Sequence, residues 1–217
     1  MSDRCVIIGA SPDCDADFVR ENVRKTDFVV CADGGYVTAG KAGVRPDLII
    51  GDFDSAAFPR DRKCDILKLP RVKDDTDTMV CIRECIRRGY EDFLLLGMTG
   101  GRDDHTFANY SVLLYLTKNG CSGMMRDRNA MYFMLSCEKD HVGGIELNCM
   151  DGQGAAVFPF GCAKCVVTLE GFRYNAEKLE LKSEYPIGVS NVISEKDARV
   201  FVYSGNALVM VYRLRKH

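Results

Sequence analysis

TDTMVCIRECIRRGYEDFLLLGMTGGRDDHTFANYSVLLYLTKNG, residues 76–120, places a helix, a strand and a second helix in succession. Met79, Ile82, Cys85 and Ile86 recur at helical spacing. Asp75 or Thr76 can cap that helix, and Gly89 can end it. Residues 93–96 are wholly apolar, with no polar alternation, so the strand is expected to be buried on both faces. Residues 106–119 read as the next helix, closed by Gly120. A doubly buried strand between long amphipathic helices implies a mostly parallel sheet with helices on both sides.

Working outward, the same alternation fills the first half of the chain. Strands are expected at 4–8, 28–32, 48–50 and 65–69, with helices at 15–25 and 37–42. In the first helix Ala16, Val19 and Val23 share one side, with Phe18 beside them. Short apolar runs at 124–125 and 131–135 finish this half. After about residue 137 the rhythm changes. Residues 145–147, 155–160, 165–169, 179–181, 198–203 and 207–212 are all strand-like, and Gly, Asn, Asp and Ser occupy the joints. Ser204, Gly205 and Asn206 read as a hairpin turn. The expected class is α/β: a mostly parallel Rossmann-like sheet with flanking helices over residues 1–136, then an antiparallel β-sandwich over 137–217.

Composition narrows the partners. The 217 residues are 47% apolar and 28% charged, which supports a packed core and argues against disorder. A formal net charge of -2 offers no field for nucleic acid, so no nucleic-acid partner is expected. No secretory or membrane-spanning run is evident, and a cytoplasmic chain is expected. The 11 cysteines then read as reduced core residues. Cys162 and Cys165 form a CxxC without a second pair at zinc spacing, so no zinc is expected.

The chemistry concentrates in loops that follow strands. Asp33 with Gly34 and Gly35 follows one, and Asp52 and Asp54 follow another. Asp74, Asp75 and Asp77 run into the helix at 76–88, and Asp103 and Asp104 follow the Gly-rich segment 97–102. In an open parallel sheet ligands bind at the carboxyl ends of the strands, so these loops are expected to bring carboxylates to one crevice. A single Asp in such a place is often turn chemistry. GDFDS at 51–55 together with KDDTD at 73–77 points instead to a hard cation such as Mg²⁺, which takes carboxylates, waters and substrate phosphates. Gly9, Gly34-Gly35 and Gly100-Gly101 let backbone N–H groups approach an anion. Neither a Walker A motif nor GxGxxG is present. Arg102 can fork onto a phosphate or pair with Asp103 or Asp104. His105 can donate to a phosphate or cap the turn, and Asn109 lies on the same helical face.

Ala32-Asp33-Gly34-Gly35, Pro46-Asp47, Gly51-Asp52-Phe53-Asp54-Ser55, Lys73-Asp74-Asp75-Thr76-Asp77 and Gly100-Gly101-Arg102-Asp103-Asp104-His105 with Asn109 occur in order. Together with Gly188-Val189-Ser190-Asn191, this set resembles the motifs of the thiamine pyrophosphokinase family over almost the whole chain. The resemblance implies an α/β domain for ATP and Mg²⁺ and a β-sandwich domain for thiamine and dimerisation. It implies a homodimer with thiamine near the subunit interface, and transfer of pyrophosphate from ATP to thiamine. Asp52, Asp54 and Asp74 would hold Mg²⁺ and polyphosphate, with Asp77 and Asp104 joining them in catalysis. Asp33, Gly34, Arg102, His105 and Asn109 would bind substrate, and Ser190 and Asn191 would lie on the thiamine side. Asp77 and Asp104 are the candidates for a carboxylate that takes the hydroxyl proton, and the sequence does not choose between them. With no tryptophan in the chain, Phe172 or Tyr174 would serve as the aromatic surface for thiamine.

Overall fold

The computed structural model describes residues 4–53, 64–70, 75–138 and 141–214. Asp54 and Asp74, two of the three expected Mg²⁺ ligands, lie outside these residues. The chain divides into two compact units, residues 1–112 with 119–128, and residues 113–118 with 129–217.

The first unit contains β1 (Cys5–Ile8), α1 (Ala16–Asn22), β2 (Phe28–Ala32), α2 (Gly35–Ala42), β3 (Leu48–Gly51) and β4 (Asp65–Lys68). It continues with α3 (Asp77–Arg87), β5 (Asp92–Leu96), the start of α4 (Asp103–Lys118) and β6 (Ser122–Arg126). Its strands pair in the order β6-β5-β1-β2-β3-β4, and every pairing is parallel. Because side chains alternate along a strand, the apolar runs feed both faces. Val6, Ile8, Val29, Cys31, Ile49, Leu94 and Leu96 pack with Phe18 and Val19 of α1 and Ala39 and Ala42 of α2. The intervening Cys5, Ile7, Val30, Leu48, Ile50, Phe93 and Leu95 are also buried. α3, which buries Cys81, Ile82 and Cys85, packs against β1, β2 and β3. The sheet is therefore covered on both sides, as the apolar strand at 93–96 required.

Two helix boundaries differ from the sequence expectation by three residues. α1 stops at Asn22, and Val23 is extended. The turn beyond it is fixed by Asp27, whose carboxylate accepts from Arg24 N at 2.6 Å and from both Nε and Nη2 of Arg4. α4 begins at Asp103 because Thr106 N already donates to Arg102 O at 3.1 Å. Asp103 and Asp104 thus occupy its first turn, where the helix dipole favours negative charge.

The second unit contains β7 (Ala130–Ser136), β8 (Gly143–Asn148), β9 (Gly154–Pro159), β10 (Lys164–Glu170) and β11 (Ala176–Lys182). It ends with β12 (Asn191–Val192), β13 (Asp197–Ser204) and β14 (Asn206–Tyr212). Within it the strands form two antiparallel layers, β12-β9-β14-β7 and β11-β10-β13-β8. Val157, Val209 and Val211 of the first layer share one core with Leu147, Val167, Leu181, Val200 and Val202 of the second. This is a β-sandwich. β7, the run at 131–135, pairs with β14 along its whole length.

The hairpin expected at Ser204–Asn206 does not form. β13 pairs with β10 and β8, whereas β14 pairs with β7 and β9, so the chain changes layers at Gly205. Gly205 has φ +71°, and a Cβ there would stand 2.4 Å from Lys164 O. A one-residue corner this close to another backbone admits only glycine. Among the described residues, no helix is long and apolar enough to cross a membrane.

Candidate active site

β1 leads toward β2 on one side, while β5 flanks it on the other. The direction of chain progression therefore reverses between β1 and β5, and a crevice opens beyond their carboxyl ends at such a point. The two loops there touch closely. Gly9 N donates to Leu96 O at 2.8 Å, and a Cβ on Gly9 would lie 2.5 Å from Gly97 O.

The crevice holds about 520 Å³ and draws lining from several loops at that edge. The β1–α1 loop gives Gly9 to Pro12, β2 is followed by Asp33, and β3 by Asp52. The start of α3 gives Thr76 to Thr78, and the β5–α4 segment gives Gly97, Met98, Gly100, Gly101, Arg102, His105 and Asn109. Asp33, Asp52 and Asp77 thus share one cavity, contributed by separate strand–helix joints. Asp33 sits at φ +45°, anchored where its N–H donates to Ile50 O at 2.7 Å. Asp77 opens α3 directly after Thr76, whose hydroxyl caps the helix by accepting from Met79 N at 3.2 Å. Gly34 lines an adjoining groove of about 550 Å³, which shares Ala10, Ser11, Pro12 and Asp33 with the crevice and adds Val37, Thr38 and Lys41.

Arg102 and Asp104 are engaged with each other. Arg102 Nε and Nη2 donate to the two carboxylate oxygens of Asp104, at 3.1 and 2.5 Å. Both side chains are largely exposed, and the Arg102 guanidinium holds the Asp104 carboxyl below its ordinary range. Asp104 also accepts from His105 N and is not among the residues lining the crevice. Asn109 Nδ2 donates to Met98 O at 2.8 Å, so its amide holds the loop after β5. Asp47, part of the Pro46-Asp47 motif, lies before β3; its carboxylate accepts from Val29 N at 2.8 Å and secures the start of β2.

Sequence reasoning passed over Thr78, Met98 and Asp127. Asp127 directly follows β6 and accepts from Thr99 Oγ1 at 2.8 Å. The rule that picked out Asp33 and Asp52, an acid immediately after a strand, would have found it. The donors in the crevice are hard oxygens, which suit a cation accompanying phosphates. Among the described residues, no three His, Cys, Asp or Glu side chains form a metal-holding group.

The second unit carries its own pocket of about 180 Å³, lined by Val157, Leu169, Phe172, Tyr174, Ile187 and Asn191 among others. Asn191 is buried and clasps Tyr174, accepting from its N–H at 3.1 Å and donating to its carbonyl at 2.8 Å. Ser190 beside it is exposed, with φ +61°. Of the two aromatic candidates, Phe172 packs in the sandwich core at the pocket wall and is almost fully buried, whereas Tyr174 is 66% exposed.

Residues 19–125 match the family described as "Thiamin pyrophosphokinase, catalytic domain", and residues 145–209 match "Thiamin pyrophosphokinase, vitamin B1 binding domain". The chain is 28% identical over 167 residues to Thiamine pyrophosphokinase 1 of Oryza sativa subsp. japonica, a match spanning 72% of this chain and 62% of the rice protein. It is 24% identical over 221 residues to Thiamin pyrophosphokinase 1 of Caenorhabditis elegans, spanning 97% and 88%. In fold it is similar to thiamine pyrophosphokinase from Bacillus subtilis, with TM-score 0.82, 21% identity, and coverage of 98% of this chain and 100% of that one. Yeast thiamin pyrophosphokinase gives TM-score 0.79 at 16% identity, covering 98% and 87%.

Proposed function

The chain belongs to the thiamin pyrophosphokinase family, and we propose that it transfers the pyrophosphoryl group of ATP to the hydroxyl of thiamine. The observation that carries this reading is the crevice in which Asp33, Asp52 and Asp77 meet two glycine-bearing loops at the reversal point of a parallel sheet. In the reaction the thiamine oxygen forms a bond to the β-phosphorus, the bond from that phosphorus to the α-phosphate oxygen breaks, and AMP leaves. The hydroxyl proton passes to a carboxylate. Asp77 suits that role better than Asp104, because it lines the crevice while Asp104 is held by Arg102 in a low-pKa pair. A pair of this kind keeps the carboxylate a weak proton acceptor.

Mg²⁺ accompanying ATP would offset charge on the phosphate oxygens. Asp52 is its candidate holder in the crevice, with Asp54 and Asp74 assigned to it by the family resemblance. Backbone N–H groups of the glycine loops serve the same anionic groups, and the closed fit of Gly9 on Gly97 fixes their spacing. The adjoining groove, lined by Ala10, Ser11, Pro12, Thr38 and Lys41, would take the nucleoside half of ATP in this reading.

The active form in this reading is a homodimer. The support is an apolar surface on the second unit, where Tyr174, Tyr185, Ile187 and Val189 are each 46–66% exposed. Such a surface favours a partner over solvent. A cytoplasmic setting is supported by 11 free thiols, most of them buried. The test is a product assay with ATP, Mg²⁺ and thiamine. AMP with thiamine diphosphate is expected; ADP with thiamine monophosphate, or no product, would overturn the assignment.

A further inference from the structure

We infer that Ser11 and Asn109 are positioning residues that orient the backbone of residues 97–101 as an anion cradle. This rests on reading the crevice as a polyphosphate site.

Three successive carbonyls of that loop are held from outside it. Gly97 O accepts from Ser11 N at 3.3 Å, Met98 O from Asn109 Nδ2 at 2.8 Å, and Thr99 O from Ser11 Oγ. The clamps come from different elements, the β1–α1 loop and the second turn of α4. Among the described residues no peptide bond is cis, so each N–H points opposite the carbonyl before it. Holding the carbonyls of Gly97, Met98 and Thr99 therefore turns the N–H groups of Met98, Thr99 and Gly100 the other way. Among the described residues, no acceptor takes the N–H groups of Met98, Thr99, Gly100 or Gly101. Met98, Gly100 and Gly101 line the crevice that also holds Asp33, Asp52 and Asp77.

The loop is further braced. Thr99 Oγ1 donates to Asp127 at 2.8 Å, and Thr78 Oγ1 meets Met98 Sδ at 3.8 Å. Gly100 and Gly101 have φ +84° and +70°, and a Cβ on either would strike the Asp13 carboxylate or the Pro12 ring. The cradle is thus pressed against the β1–α1 loop and kept in one conformation. Asn109 then acts through Met98 O. The sequence reading had made it a substrate contact.

Calorimetric titration with inorganic tripolyphosphate and Mg²⁺ tests this in wild type, Asn109→Ala, Asn109→Asp, Ser11→Ala and Ser11→Thr, alongside melting curves and KM for ATP and thiamine. Asn109→Asp keeps the shape and loses the donor; Ser11→Thr keeps the hydroxyl. The Ala and Asp variants are expected to weaken tripolyphosphate binding on the order of tenfold, as loss of about one oriented hydrogen bond would. KM for ATP should rise in parallel, KM for thiamine should hold, and Ser11→Thr should recover wild-type binding. Variants that melt lower yet bind tripolyphosphate normally would overturn the inference, as would a wild type that does not bind it. If binding falls in this graded way while no thiamine diphosphate ever forms, the cradle stands and the transferase reading falls. The Ser11 pair carries the test if the Asn109 variants do not fold.

Discussion

At the scale of single residues, the crevice separates carboxylates by what surrounds them. Asp47 and Asp27 are tied into strand ends and turns by short bonds to backbone N–H groups. Asp104 is neutralised by Arg102 at the surface. Asp52 follows β3 into the crevice and is half-buried there, and Asn matches its shape. Asp52→Asn is therefore expected to lower turnover on the order of 100-fold or more, the scale of losing one charge-organising group. Its melting temperature should stay near wild type, and steady-state assays beside a melting curve check both. The cysteines are the opposite case. Burial pushes the Cys165 thiol up to about 12 and Cys14 up to about 11, so these sulfurs remain protonated and unreactive.

At the scale of elements, two features set how the crevice is held. The first is the approach of the β1 and β5 loops. A Cβ on Gly9 would meet backbone, Gly97 O at 2.5 Å, which has no flexible end to move aside. Gly9→Ala should cost about 1–3 kcal/mol of stability, the range for forced overpacking, and should raise KM for ATP. Denaturant unfolding and kinetics on the same sample measure the two effects. The second is α3, which presents Asp77. Glu84 in its last turns, with its side chain 17% exposed, accepts from both Arg87 and Arg88, and Arg87 first holds its carboxyl down at about 2 from an ordinary 4.5. A depressed folded-state pKa means stabilisation present above pH ~4.5 and lost as the pH falls through about 2. Glu84→Gln is expected to be less stable at neutral pH by about 1 kcal/mol, with the difference vanishing near pH 2. Urea midpoints for both proteins across that pH window would show it; a gap that persists at pH 2 would assign the loss to packing.

At the scale of the whole molecule, each unit has its own core, one built on a parallel sheet and the other between two antiparallel layers. The second unit leaves Tyr174, Ile187 and Val189 exposed around its pocket, and Tyr185 exposed as well. Sedimentation velocity is expected to show a dimer that persists on dilution to assay concentration. Aspartate at Val189 should weaken that dimer, because a charge would have to be desolvated in the contact. Full activity from a monomer would exclude a shared site.

The sequence by itself determined the layered class of both halves and the edge where the acids gather. Those follow from local signals: period-2 and period-3.6 burial, and Gly or Asp where a strand stops. Tertiary structure alone decided which groups meet. β7 reads like a last strand of the first half but pairs with β14, since an edge of matching register is supplied by a segment some 70 residues later. Ser204–Asn206 has hairpin composition but turns between layers, because β13 and β14 each have other partners on both sides. Arg102 chose Asp104 over Asp103, and Asn109 chose a carbonyl over open space, once α4 started at Asp103 and set their distances. A hydrogen bond is selected within a few tenths of an ångström, and spacing along the chain cannot resolve positions that finely.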